Sequence, residues 1–329
     1  MAIAWRPFVD LVGEHQSFVL TTHQRPDCDA LGSELAMAAA LESLGKTVRV
    51  VNADAVPPHI AFMDRHNKIE VLGEHVLPTA LLANDVDVMM VLDTSAWQQV
   101  GPMGDVLRES TAKKVVIDHH VGGDDMDAVV FKDDSAEANG RLVLEAIEAL
   151  GVSLNEEMAT MLFAAIATDT GWFRFNSVGS ITYAAVEKLV AAGASPAGIF
   201  SLLYEQNSLA RVLLHGCILQ DIRIEPGGRV AHAAATLDDF ASTGSEPSDS
   251  EDVVNRLLTI AGVEVAALFV ALENKLTKVS LRSRNDADVR AVAEVFGGGG
   301  HRAAAGLRVA ESVEKTRELV VAELCNKIG

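Results

Sequence analysis

Short runs of consecutive apolar residues alternate with stretches of helical periodicity through the first half of the chain. Residues 17–22 (SFVLTT), 47–52 (TVRVVN), 86–92 (VDVMMVL) and 114–117 (KVVI) read as strands. Residues 30–44, 136–150, 156–167 and 181–192 carry helical patterns, several of them rich in alanine and leucine. Continuous apolar strands separated by helices predict a parallel sheet covered on both faces. Ligands of such sheets collect outside the carboxyl ends of the strands, so the residues after each apolar run become the candidates for chemistry. Residues 193–196 (GASP) break the pattern, and residues 196–219 read as a bridging helix. From residue 221 the texture changes to short strands and turns. Pro226-Gly227-Gly228 reads as a hairpin turn, 263–272 and 277–281 as strands, and 289–296 as a helix running into four glycines.

The fold class expected is α/β with two domains: a catalytic parallel-sheet domain over 1–192, a helical linker over 193–219 and a smaller α/β domain over 220–329. A length of 329 residues agrees with two domains. With 49% hydrophobic residues the chain is no solvated acidic coil, although its net charge is −19. That charge argues against wrapping long nucleic acid, yet leaves room for a small phosphorylated substrate held through cations. Cys28, Cys217 and Cys325 are far apart and odd in number, so a disulfide framework is not expected and a cytoplasmic setting is. No run of about 18 apolar residues suggests a membrane span.

Four places put acidic or imidazole groups directly after an apolar run. They are His23 with Asp27 and Asp29 in HQRPDCDA, Asp93 ending VMMVLD, Asp118-His119-His120 ending VVIDHH, and Asp169 in TDTGW. Singly each is weak, because an aspartate after a strand more often caps a helix or forms a turn. Together, in a parallel sheet, three of them converge on one edge. Asp27, Asp29, Asp93 and Asp169 would then bring four negative charges into one cleft, where repulsion would hold some protonated. Two divalent cations balance those charges, with His23 and His119 as neutral ligands, and carboxylate-rich donors favour Mn2+ or Mg2+. Two such ions about 3.5–4 Å apart suit phosphate-ester hydrolysis by a bridging water, with Asp93 placed to bridge them. His120 could protonate the leaving oxygen or steady the phosphate, and Asp118 could fix an imidazole tautomer. Cys28 is expected to serve packing.

In the second half, Phe296-Gly-Gly-Gly-Gly-His301-Arg302 offers bare backbone N–H groups, at Gly299 and Gly300 among others. A helix starting after them would add a favourable dipole for an anion. Arg282 and Arg284, at the end of an alternating strand, could grip phosphate. The aromatics of Trp172-Phe173-Arg174-Phe175 either stack a nucleobase or, the preferred reading, pack beneath the site.

The set THQRPDCDA, VLDT, IDHH, ATDTGWF and LRSR with FGGGGHRAAAG resembles the DHH phosphoesterase superfamily, and within it the nanoRNase branch, over nearly the whole chain. That branch joins oligoribonuclease activity with 3′-phosphoadenosine 5′-phosphate phosphatase activity. The resemblance implies one metal at His23, Asp27 and Asp93 and a second at Asp29, Asp93, His119 and Asp169. It also implies His120 over the scissile phosphate, with Arg282 and His301 binding substrate phosphate across an interdomain cleft. Residues 136–140 (AEANG) depart from the serine- and threonine-rich stretch expected there, which bears on the substrate rather than the metals. The function expected is therefore a manganese-dependent hydrolase of very short oligonucleotides and phosphorylated nucleotides. A stand-alone phosphodiesterase of cyclic or linear dinucleotides is the alternative, and a silent nucleotide-binding module the competing class. A homodimer is left open.

Overall fold

A computed structural model describes residues 3–82, 85–284 and 287–328. The chain divides into two compact units, 1–206 and 207–329.

The first unit opens with α1 (Arg6–Glu14), β1 (Ser17–Thr21), α2 (Cys28–Ser43), β2 (Thr47–Asn52) and β3 (Ile69–Val71). It continues through α3 (Pro78–Leu81), β4 (Val88–Leu92), α4 (Trp97–Val100), α5 (Met103–Glu109), β5 (Lys113–Asp118) and β6 (Val129–Lys132). The helices α6 (Asn139–Ala149), α7 (Glu156–Asp169), α8 (Ser180–Ala191) and α9 (Pro196–Tyr204) complete it. The six strands form one parallel sheet in the order β3-β2-β1-β4-β5-β6. Strand order reverses between β1 and β4, so a crevice opens at their carboxyl ends, where His23 and Asp93 follow. All five residues of β4 are buried, as the continuous apolar run requires of a central parallel strand.

Two helices without a polar stripe, α2 and α7, fill one side of this sheet; both are buried along most of their length. Gly32 lets them close: a Cβ there would lie 2.5 Å from the Met161 carbonyl oxygen.

The second unit holds α10 (Leu209–Gln220), β7 (Arg223–Ile224), β8 (Val230–Ala235), α11 (Leu237–Thr243) and α12 (Val253–Leu257). Then come β9 (Val265–Leu272), β10 (Leu276–Ser283), α13 (Arg290–Val295), β11 (Gly299–His301), β12 (Ala304–Val309) and α14 (Val313–Ile328). Its six-stranded sheet runs β11-β12-β10-β9-β8-β7, antiparallel except for the parallel β8–β9 pair.

Two expectations need correcting. The helix read over 196–219 is two helices, interrupted where Ser208 takes up extended backbone and caps α10, its side chain accepting from the Arg211 N–H. No helix starts after the glycine run, either: Gly299, Gly300 and His301 form the edge strand β11, which hairpins back through β12. The helix there, α13, precedes the glycines, and the Gly297 and Gly298 N–H groups already serve its last carbonyls at Glu294 and Ala293. Among the described residues no single helix is long and apolar enough to cross a membrane.

Candidate metal centre

Every metal donor expected from the sequence lies in the first unit, around the carboxyl ends of β1, β4 and β5. Asp27 is the N-cap of α2, its Oδ1 accepting from the Asp29 and Ala30 N–H groups. Cys28 and Asp29 are already helical, so the two aspartates leave the start of α2 on different sides of its first turn. Asp93 follows β4 with φ +61°, a left-handed backbone uncommon for a side chain other than asparagine, aspartate or glycine. Asp169 is the last residue of α7.

The donors form overlapping groups linked through Asp93 and His119. His23, Asp27 and Asp93 bring one ligand atom each within 4.8 Å of one another, and so do Asp29, His119 and Asp169. Asp93 Oδ2 lies 3.4 Å from His23 Nε2, and its Oδ1 lies 3.4 Å from His119 Nε2. His119 Nε2 is also 3.6 Å from an oxygen of Asp29 and of Asp169.

Backbone groups aim these side chains. The Nδ1 atoms of His23 and His119 meet the carbonyl oxygens of Gln24 and Ala136, which turns each Nε2 toward the carboxylates. The buried Asp29 carboxylate accepts the Asn139 and Gly140 N–H groups at the start of α6, at 2.7 and 2.8 Å. Gly140 makes that approach possible, because a Cβ there would stand 2.7 Å from Ala165 Cβ and 3.3 Å from Asp29 Oδ1. In the orientation that satisfies both ends of its amide, the Asn139 oxygen accepts from the Asp93 N–H and Ser33 Oγ, and its nitrogen donates to the Ile117 carbonyl. The AEANG stretch thus serves the centre through backbone N–H groups and one amide rather than through hydroxyls.

Charge crowding shows in the proton affinities. Burial opposes charge on His23, yet hydrogen bonds to Asp93 and the Gln24 carbonyl outweigh it and raise its pKa to about 9. His119 is raised to about 10 by Asp93 and Asp29 against the same penalty. Burial, then the charge of Asp93, lifts Asp169 to about 6 and Asp29 well above the carboxylate range. Asp93 is the exception: burial works against its charge, but the two histidines hold it low.

The donors fit divalent cations. Asp93 Oδ1 is a buried oxygen with no hydrogen-bond partner, set among carboxylates and imidazoles. His23, Asp27 and Asp93 could hold one ion and Asp29, Asp93, His119 and Asp169 another. His120 joins Asp93 and His119 in a third such group, its Nδ1 2.9 Å from Asp118 Oδ1 and 3.7 Å from Asp93 Oδ1.

Residues 17–166 match the DHH family, N-terminal domain, and residues 227–328 match the DHHA1 domain. The chain is 30% identical over 93% of its length to the bifunctional oligoribonuclease and PAP phosphatase NrnA of Thermus thermophilus, covering 89% of that protein. The chain belongs to the DHH family. To the NrnA of Bacillus subtilis this DHH chain is 27% identical over 95% of its length and 96% of the relative's. An exopolyphosphatase-related protein from Bacteroides fragilis superposes with a TM-score of 0.84 at 25% identity, covering 99% of this chain and 97% of that one. These similarities place the chain among the DHH-family phosphoesterases.

In the second unit, register puts Arg282 opposite Ala304 and Ala304 opposite His301. Their side chains therefore share one sheet face, with the arginine and histidine about 10 Å apart across two strand spacings. Arg284 is committed elsewhere, donating to the Leu258 carbonyl. Gly299 and Gly300 are exposed on the edge strand.

Trp172 and Phe173 pack edge-on against Phe163, both with left-handed backbone, while Phe175 remains 54% exposed. Cys28 is buried, and burial, then the charge of Asp27, pushes its thiol up to about 12; it packs. Sequence reading missed the buried Glu34, whose Oε2 accepts from Asn52 beside the centre and whose pKa burial raises to about 8. It also missed Ser95 and Lys132, which hold Asp118. No sequence signal marks these: their partners lie at least 14 residues away.

Proposed function

We propose that this chain hydrolyses very short oligonucleotides to 5′-nucleoside monophosphates and removes the 3′-phosphate of 3′-phosphoadenosine 5′-phosphate. Two divalent ions, Mn2+ by preference and Mg2+ otherwise, would occupy the paired clusters. One bond unites both activities: P–O3′ breaks, the oxygen of water joins phosphorus, and O3′ leaves with a proton. The reading rests on Asp93, whose two oxygens face two different donor clusters while Oδ1 lacks any hydrogen bond. Bound ions supply positive charge for the phosphoryl oxygens and acidify water.

The residues of the chain do the rest. Asp118 fixes His120 by Nδ1, which leaves Nε2 to protonate O3′ or hold the phosphate. Arg282 and His301, on one face of the second sheet, would bind a phosphate that does not react. A net charge of −19 works against electrostatic binding of a long strand. The three cysteines, none in a disulfide, suit a reducing cytoplasm.

The test is a panel of dinucleotides, a long RNA, 3′-phosphoadenosine 5′-phosphate and cyclic dinucleotides, each with Mn2+, with Mg2+ and after chelation. Fastest turnover of dinucleotides and the bisphosphate with Mn2+ is expected. Equal or faster cleavage of the long RNA would overturn the short-substrate assignment. A preference for cyclic dinucleotides would select the alternative activity, and nucleotide binding without hydrolysis would leave a silent module.

A further inference from the structure

We infer that Lys132 is a positioning residue, whose ammonium fixes the orientation of His120 through Asp118. Lys132 ends the edge strand β6, and the parallel register pairs it with Asp118 at the end of β5. Its Nζ reaches three acceptors: Asp118 Oδ2 at 2.5 Å, Ser95 Oγ at 2.6 Å and the Gly122 carbonyl oxygen. An ammonium has three protons, so each contact uses one.

The two oxygens of Asp118 have separate tasks. Oδ2 takes Lys132 and the Ser95 hydroxyl, at 2.6 Å. Oδ1 takes the His120 backbone N–H at 3.1 Å and lies 2.9 Å from His120 Nδ1. The carboxylate is fully buried, so without the ammonium it would keep one hydroxyl on one side and a histidine free to pull it around on the other. Through the Gly122 carbonyl the same ammonium anchors the far end of the turn that carries His120. Gly123 lets that turn close down, since a Cβ at its φ of +132° would stand 2.2 Å from Ser95 Oγ. None of these three partners is one of the six candidate metal donors, which separates the effect of the ammonium from metal binding.

The inference rests on His120 acting on substrate, as proposed above. It is tested in the full chain with Lys132→Met, Lys132→Arg, His120→Gln and the Lys132→Met/His120→Gln pair. Lys132→Met is expected to lower kcat about 10–100-fold, the usual cost of losing a group that orients an active-site side chain, and to leave KM and Mn2+ affinity nearly unchanged. Lys132→Arg should restore most of the rate. In the His120→Gln background, Lys132→Met should cost nothing more. Independently of turnover, the imidazole 15N resonance of His120 Nδ1, identified by its loss in His120→Gln, should shift in Lys132→Met and return in Lys132→Arg. Wild-type kcat in Lys132→Met, an unmoved Nδ1 resonance or a full extra loss in the double variant would overturn the inference. If Lys132→Met fails to fold, Lys132→Gln, which is one bond shorter and removes the charge, is read in the same way. Should the wild type hydrolyse no phosphate ester, the functional reading fails while the Nδ1 resonance still decides the role of Lys132.

Discussion

Asp93 holds a left-handed backbone at the end of a central strand, a conformation that costs a non-glycine residue of order 1 kcal/mol and persists where the surroundings fix it. Here they do: the Asn139 amide accepts from its N–H, and histidines stand on both sides of its carboxylate. Asparagine tolerates the same backbone, so Asp93→Asn removes charge and not shape. That substitution should lower turnover by about 100-fold or more and weaken Mn2+ binding in both clusters, as read by calorimetry. Near-normal activity with both ions bound would refute the shared role. Arg282 works at the same scale with a different expected signature. If it grips a phosphate that does not react, Arg282→Ala should raise KM about 10-fold and leave kcat alone. A loss confined to kcat would instead place the guanidinium at the reacting phosphate.

At the scale of elements, the centre depends on helix ends meeting. The start of α2 carries Asp29, the end of α7 carries Asp169, and the start of α6 turns two N–H groups onto Asp29. Gly32 permits the α2–α7 contact, with Met161 and Ala165 within 3 Å of where a Cβ would sit. Gly32→Ala should therefore destabilise the fold by about 1–3 kcal/mol through overpacking, seen as a lower denaturant midpoint, and weaken metal binding at the cluster of Asp29. An unchanged midpoint would mean that the helices separate at little cost. The glycine run in the second unit shows the opposite relation of sequence to element. Its composition invites a loop before a helix, but pairing with β12 makes Gly299–His301 a strand. What Arg282 and His301 share is thus a register, which spacing along the chain cannot disclose.

On the scale of the whole molecule, charge balance sets the response to pH. His23 and His119, with pKa values of about 9 and 10, and Asp169 at about 6, stay largely or partly protonated near neutrality when no ion is bound. An ion must displace those protons, so competition eases as pH rises. Mn2+ should accordingly raise the melting temperature more at about pH 8 than at about pH 6; the reverse order would contradict the proposed donors. In the second unit burial opposes the charge of Asp221, but hydrogen bonding to Arg317 outweighs it and lowers the pKa. A lowered carboxylate contributes stability above its unfolded pKa, near 3.9, and loses it as pH falls through the folded value. Asp221→Asn should flatten that part of the acid-unfolding profile, and an identical profile would remove the pair from the account. The amino-acid sequence by itself determined the parallel sheet and the second α/β unit and singled out the candidate donors, because apolar periodicity and the residues after each strand are local properties. Tertiary structure alone decided which oxygen of Asp93 faces which histidine and how N–H groups 110 residues away reach Asp29. It likewise decided that Lys132 grips Asp118. Those contacts follow from strand order, helix packing and register, which bring together residues that no local pattern links.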